Sequence, residues 1–263
     1  MLIALDVDGT LIDYDQVLSG RVATAVKEVA AAGHHVVIAT GRSIAATTPI
    51  VNELGLDGFV VTANGAVTIK MNSGSPAGYD VVEAVTFDPR PVVELLRDQL
   101  PGALFAVETE DGRHLVSAPF PDGELGEIDV VTFERLVAGP TSRIIVRSPD
   151  RTAEDFVRLV EHLGLHGVAF AIGWTAWLDI APEGVSKAGA LELLRRRLGV
   201  EPLRTVAIGD GRNDVDMLQW AAQGIAMANA TDEAIDAADE VCPNVDDDGL
   251  AVVLEALLMS GRA

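Results

Sequence analysis

The feature that most constrains the fold is a rhythm at both ends of the chain, where short apolar, β-rich runs alternate with stretches of helical periodicity. Residues 2–7 read as a strand, Ser19 opens a helical stretch through Ala32 that Gly33 closes, and HHVVIAT (residues 34–40) reads as a second strand. GRS and a helix to Leu54 follow, then GFVVTANGAVTIK (residues 58–70), a strand and hairpin with NG at its turn. This βαβαβ order predicts a parallel sheet covered by helices. Past residues 71–80 the pattern becomes strand-rich. Strands are expected at 105–109, 114–117, 143–147, 168–172 and 177–180, and helices at 91–100 and 152–163, an α+β module with helices on one sheet face. Alternation then resumes: helix 187–198, strand 204–210, a helix, strand 224–228, a helix near 231–238, strand 240–243 and a last helix from about Gly249. The expected architecture is α/β, a doubly wound, mostly parallel Rossmann-like core (residues 1–80 and 184–263) interrupted by an inserted α+β cap (residues 81–183).

Two of the expected core strands run into acids. LIALDVDGT (residues 2–10) places Asp6 and Asp8 one residue apart, and RTVAIGDGRND (residues 204–214) ends on Asp210, Asn213 and Asp214. In an open parallel sheet, ligands bind beyond the carboxyl ends of the strands, and residues i and i+2 of an extended segment point to one side. Alone, DVDGT reads equally as a turn, and GDGRND as a capped helix start. A calcium loop is excluded, because position twelve from Asp6 is Val17 where a Glu is required. Together the two clusters put several carboxylates in one cleft. They repel unless a cation sits among them, and hard oxygen ligands without His or Cys point to magnesium. ATGRS (residues 39–43) adds Thr40, Gly41 and Arg42 at a helix start, either an ordinary cap or an anion site made by unpaired N–H groups. Lys187 opens a helix, where a cation opposes the dipole; it is better placed facing a dianion and an aspartate than in solvent. Asn64 follows a core strand, where it either lines the cleft or makes a plain turn.

Composition narrows the partners. The formal charge is −21, from 19 Lys and Arg against 40 Asp and Glu, with no basic run, which argues against nucleic acid and anionic membranes. Cys242 is the only cysteine, so an intrachain disulfide and a multi-cysteine zinc site are excluded. There is no basic n-region, and no stretch approaches the roughly 20 apolar residues that span a bilayer. The expectation is a cytoplasmic protein of unassigned oligomeric state. Within the insertion, Trp174 and Trp177 read as packing the cap's own sheet rather than touching substrate, and His114, Arg143 and Arg147 as solvated surface positions.

DVDGT, ATGR, Lys187 and GDGRND, in that order, resemble the four motifs of the haloacid dehalogenase-like phosphohydrolases. The long insertion, TANGAV (residues 62–67) and ANATDEAIDAAD (residues 228–239) are similar to the Cof-type subgroup with a type-2 cap. Ala228 and Ala188 depart from the glycines frequent there. The resemblance implies a magnesium-dependent phosphatase acting on a small phosphorylated metabolite, a sugar phosphate or phosphorylated cofactor. It implies that Asp6 attacks phosphorus and Asp8 serves as acid and then base. Magnesium would be held by Asp6, the Asp8 carbonyl, Asp210 and Asp214. Thr40, Gly41, Lys187 and Asn213 would meet the phosphoryl group, with Arg42 and Asn64 grouped among the phosphate-binding residues. A sugar phosphomutase and a catalytically silent metabolite-binding protein are the competing readings; the intact Asp8 argues against the latter.

Overall fold

The computed structural model describes residues 1–120, 125, 127–148, 152, 168–172 and 177–259. The chain divides into two units, one of Met1–Arg42, Thr47–Val82 and Ser186–Ala263, the other of Ser43–Ala46 and Glu83–Val185.

The first unit is built on β1 (Leu2–Leu5), β2 (His35–Ala39), β3 (Phe59–Thr62), β4 (Val67–Met71) and β5 (Tyr79–Ala84). Its later strands are β12 (Thr205–Gly209), β13 (Gln223–Met227) and β14 (Glu240–Cys242). They form one sheet in the order β14-β13-β12-β1-β2-β3-β4-β5. Pairing is parallel from β14 through β3 and antiparallel between β3 and β4. All four residues of β1 are buried, as a strand covered on both faces requires. Alternation sends Leu2 and Ala4 to one face. There they join Ala190, Leu191 and Leu194 of α5 (Lys187–Arg197), Met217 and Leu218 of α6 (Val215–Trp220) and Ala234 of α7 (Asp232–Ala237) in one apolar cluster. The first helix, α1 (Gly20–Ala31), buries Val22, Ala25, Val26 and Val29, the stripe expected of a 3.6-residue period. Ser19 caps it by accepting from the Val22 N–H at 3.1 Å. It neighbours α8 (Gly249–Met259) through a two-pronged Arg21–Glu255 ion pair. Between β2 and β3 in sequence runs α2 (Ile44–Leu54). The sequence places no strand at β5, whose residues are half-buried or exposed and carry a weak signal.

The second unit is a six-stranded sheet in the order β10-β11-β9-β6-β7-β8. Its strands are β6 (Leu104–Glu108), β7 (His114–Val116), β8 (Ile128–Val130), β9 (Arg143–Arg147), β10 (Val168–Ile172) and β11 (Trp177–Pro182). Pairing is antiparallel except between β7 and β8. One face packs on α3 (Arg90–Gln99) and the short α4 (Phe133–Leu136): Val93, Leu96 and Leu136 meet Phe105, Val107, Ile144, Val146, Leu178 and Ile180. Of the helix expected at 152–163, all but Thr152 lies outside the described residues, as do Trp174 and the Trp177 side chain. β8 and α4 were not expected, being too short for periodicity to show. Two surface expectations are corrected. His114 is 1% exposed, its Nε2 3.8 Å from Oε2 of the fully buried Glu108 on the paired strand. Arg143 is largely buried and makes a two-pronged pair with Asp179, at 2.9 Å from Nε and 2.7 Å from Nη2. Both side chains start from inward-facing strand positions, and no apolar run marks them in the sequence.

Candidate active site

β1 and β12 lie side by side in parallel register, Leu5 opposite Ile208, so the segments leaving their carboxyl ends emerge together. Asp6 donates its backbone N–H to Ile208 at 3.0 Å, which ties the first acid to the neighbouring strand. One carboxylate oxygen from each of Asp6, Asp210 and Asp214 lies within 4.8 Å of the others, and all three residues are buried. Gly9 has φ +76°, a conformation that favours glycine, and a Cβ there would stand 2.3 Å from Asp210 Oδ2. The glycine of DGT therefore lets the two halves of the chain approach.

Lys187 is fully buried at the start of α5. Its Nζ donates to Asp6 Oδ1 at 2.5 Å and to Asp214 Oδ1 at 2.6 Å. Burial pulls the ammonium's pKa down, but Asp214 and Asp6 outweigh it and hold it above the ordinary lysine value. The remaining Asp214 oxygen, Oδ2, accepts the backbone N–H groups of Asp210 and Gly211 at 3.0 and 2.8 Å. Asp214 thus shapes the loop that carries Asp210. Burial and then Asp214 push Asp6 well above the ordinary carboxylate value, against the pull of Lys187. The same two causes raise Asp210 to about 6. Such a set, all oxygen and strained by its own repulsion, suits a hard divalent cation. Asp6, Asp210 and Asp214 are the residues able to hold it.

Asp8 faces elsewhere. Its carboxylate accepts from Arg42 Nε at 2.8 Å and from Arg42 Nη2, and Gln16 contacts both side chains. Burial raises its pKa, but the Arg42 hydrogen bond and charge prevail and hold it below the usual carboxylate range. Arg42, grouped by sequence with the phosphate-binding residues, is thus the partner of Asp8. Thr40 is buried beyond the end of β2, and its Oγ1 accepts the Arg42 N–H at 3.1 Å. Asn64 donates its N–H to the Thr40 carbonyl at 3.0 Å, and its side-chain oxygen accepts from Asn213 Nδ2 at 2.9 Å. A Cβ on Gly41 would lie 2.9 Å from the same Asn64 oxygen. Thr40, Gly41, Asn64 and Asn213 therefore form one wall. The NG signal is a hairpin end, but its loop spans 63–66 between Thr62 and Val67, with Ala63, Asn64 and Gly65 all at positive φ.

Four residues of this region were not singled out from sequence. Thr10 donates to Asp210 Oδ1 at 3.2 Å, Tyr14 donates to Asp210 Oδ2 at 3.2 Å, Gln16 braces Asp8, and Asn229 reaches Gly9, Tyr14 and Asp210. Thr10 and Asn229 lie in stretches that carry the resemblance, DVDGT and ANATDEAIDAAD. Tyr14 and Gln16 have no comparable signal.

A family model described as haloacid dehalogenase-like hydrolase matches residues 3–96 and 133–254. A phosphoglycolate phosphatase of Natronomonas pharaonis is 32% identical over 256 residues, covering 97% of this chain and 95% of that protein. An HMP-PP phosphatase of Serratia proteamaculans is 29% identical over 241 residues, covering 87% of this chain and 84% of that protein. Among solved structures, the subclass IIB sugar phosphatase BT4131 superposes with a TM-score of 0.80 at 22% identity, over 97% of this chain and 98% of that one. The α/β fold expected from the sequence is the fold of that structure. Among the described residues, no helix is long and apolar enough to cross a membrane.

Proposed function

The chain belongs to the haloacid dehalogenase-like hydrolases, and from that premise we propose that it is a magnesium-dependent phosphatase working through an aspartyl-phosphate intermediate. We assign it a small phosphorylated metabolite, a sugar phosphate or phosphorylated cofactor, as substrate. The observation that carries the reading is the convergence of Asp6, Asp210 and Asp214 around the Lys187 ammonium. The phosphoglycolate and HMP-PP phosphatases similar to this chain support a small phosphorylated substrate.

An Asp6 carboxylate oxygen forms the bond to phosphorus as the bond to the leaving oxygen breaks. Asp8 gives its proton to that oxygen, which requires it to exchange Arg42 for the substrate. Asp8 then takes a proton from water, whose oxygen attacks the same phosphorus, releases phosphate and restores Asp6. Lys187 balances charge at Asp6 and on the equatorial oxygens. The Thr40 hydroxyl, the Gly41 N–H and the Asn213 amide bind and orient the transferring group. Magnesium, held by Asp6, Asp210, Asp214 and the Asp8 carbonyl, supplies charge neutralisation when bound. The insertion of residues 81–183 is assigned the choice of leaving group.

The test is phosphate release from a panel of phosphorylated metabolites, with magnesium and with EDTA. The expected result is magnesium-dependent release that Asp6→Asn abolishes while the far-ultraviolet dichroism stays unchanged. Turnover retained in Asp6→Asn, or isomerisation of a sugar monophosphate without phosphate release, would overturn the proposal.

A further inference from the structure

We infer that Tyr14 is a positioning residue of the metal site: its hydroxyl, steered by Asn229, holds the Asp210 carboxylate in the orientation that binds the divalent cation. The inference rests on the reading of Asp6, Asp210 and Asp214 as that site.

The hydrogen bonds run in one direction. Val245 donates its backbone N–H to Asn229 Oδ1 at 2.9 Å, which fixes the amide with its Nδ2 toward the site. That Nδ2 donates to the Gly9 carbonyl at 2.8 Å and to Tyr14 Oη at 3.2 Å. With Oη already accepting, the phenol proton is directed to Asp210 Oδ2, 3.2 Å away. Thr10 occupies the other oxygen, Oδ1, at 3.2 Å. Both Asp210 oxygens are thus oriented by neutral donors: Oδ2 by Tyr14 and, at 3.5 Å, by Asn229 Nδ2, and Oδ1 by Thr10, which leaves Oδ1 a lone pair for a cation. A lysine in place of Tyr14 would orient the carboxylate equally well but repel the ion.

Packing does not explain the contact. Tyr14 is 65% exposed, so its ring adds little to the core, yet its hydroxyl reaches a buried acid. The turn that presents it is closed by Val17 N–H donating to Asp13 Oδ1 at 2.8 Å and by Asp13 N–H donating to the Val17 carbonyl at 3.1 Å. Within that turn Gln16 sits at φ +65°, an uncommon conformation for a residue with a side chain. Gly9 completes the arrangement, since a Cβ there would lie 2.9 Å from Tyr14 Oη as well as against Asp210.

Partners that orient metal ligands typically contribute about 10–100-fold in affinity. The test titrates Mn²⁺ into metal-free full-length protein and follows free Mn²⁺ by electron paramagnetic resonance, for wild type, Tyr14→Phe and Asp210→Asn. Thermal midpoints are measured without metal. The expected result is an Mn²⁺ Kd raised about tenfold in Tyr14→Phe, with the metal-free midpoint unchanged and strong binding lost in Asp210→Asn. A merely structural contact would move the midpoint and leave the Kd alone. An unchanged Kd in Tyr14→Phe beside lost binding in Asp210→Asn overturns the role of Tyr14 only. Equal binding by wild type and Asp210→Asn removes the site itself, and the role of Tyr14 falls with it.

Discussion

Replacing Lys187 by Met keeps most of the side-chain volume and removes the ammonium that separates Asp6 from Asp214. The lysine is fully buried, and both of its contacts are short, 2.5 and 2.6 Å. Breaking a buried pair by deleting one partner destabilises by about 3–5 kcal/mol, because the partner charge is left uncompensated. At about 2–4 °C per kcal/mol for a chain of this size, the thermal midpoint should fall by roughly 6–20 °C. The loss should depend on pH. Burial and Asp214 already hold Asp6 well above its ordinary value, and without Lys187 it goes higher. A carboxyl raised in the folded state contributes stability that is complete below its unfolded pKa and disappears as pH climbs through the folded value. The deficit of Lys187→Met should therefore be smallest near pH 5 and grow toward pH 8. Urea unfolding of both proteins in EDTA, at each pH, measures it. A deficit under about 1 kcal/mol, or one flat across that range, would show that Lys187 does not balance these acids.

Metal-free protein should lose stability as pH rises through the raised value of Asp210, about 6, and magnesium should restore it. At a concentration of about 100 Kd the gain is about 2.7 kcal/mol; thermal scans with magnesium and with EDTA should show a larger rise at pH 8 than at pH 5, where protons compete. Arg42→Met removes the charge that holds Asp8 low. If Asp8 is the acid, the alkaline limb of kcat/KM moves to higher pH, which a pH–rate profile of the variant against wild type reads directly. Gly65→Ala places a Cβ 2.2 Å from the Ser186 carbonyl oxygen at φ +103°; combined clash and strain should remove about 2–4 kcal/mol in urea unfolding.

What the sequence revealed follows from how strongly each feature is constrained. β1 and β12 are buried throughout, so their apolar runs are continuous and the acids at their ends stand out. Lys187 was legible for the opposite reason, since a cation opening a helix is mildly unfavourable and invites a specific explanation. β5 was missed because its residues alternate weakly, and β8 because three residues carry no period. Glu108 and His114 were hidden in another way. A buried polar pair leaves no apolar signature, and only strand register shows that the two face each other. Tyr14 and Asn229 stand 215 residues apart. Their meeting depends on the turn that follows β1 and the loop that follows β13, neither of which periodicity describes.

The sheet order explains why acids so distant in sequence share one place. From β1 the chain builds outward through β2 and β3, and from β12 it builds the other way through β13 and β14. The reversal falls between β1 and β12, and at such a point the segments leaving the strand ends diverge and leave a crevice. Into it the fold brings three carboxylates and one ammonium, whereas Asp8 and Arg42 neutralise each other beside it. When all are ionised, the imbalance is two negative charges, which is the deficit a dication cancels. Without one, protons do part of the work, and the raised values of Asp6 and Asp210 are its sign. A phosphate monoester arriving as a dianion would meet repulsion from the unfilled cluster, in which Lys187 is the one positive charge. In the proposed reaction, charge balance at the switch point would therefore couple metal binding to substrate binding, and would make the crevice suited to a phosphoryl group only with the cation in place.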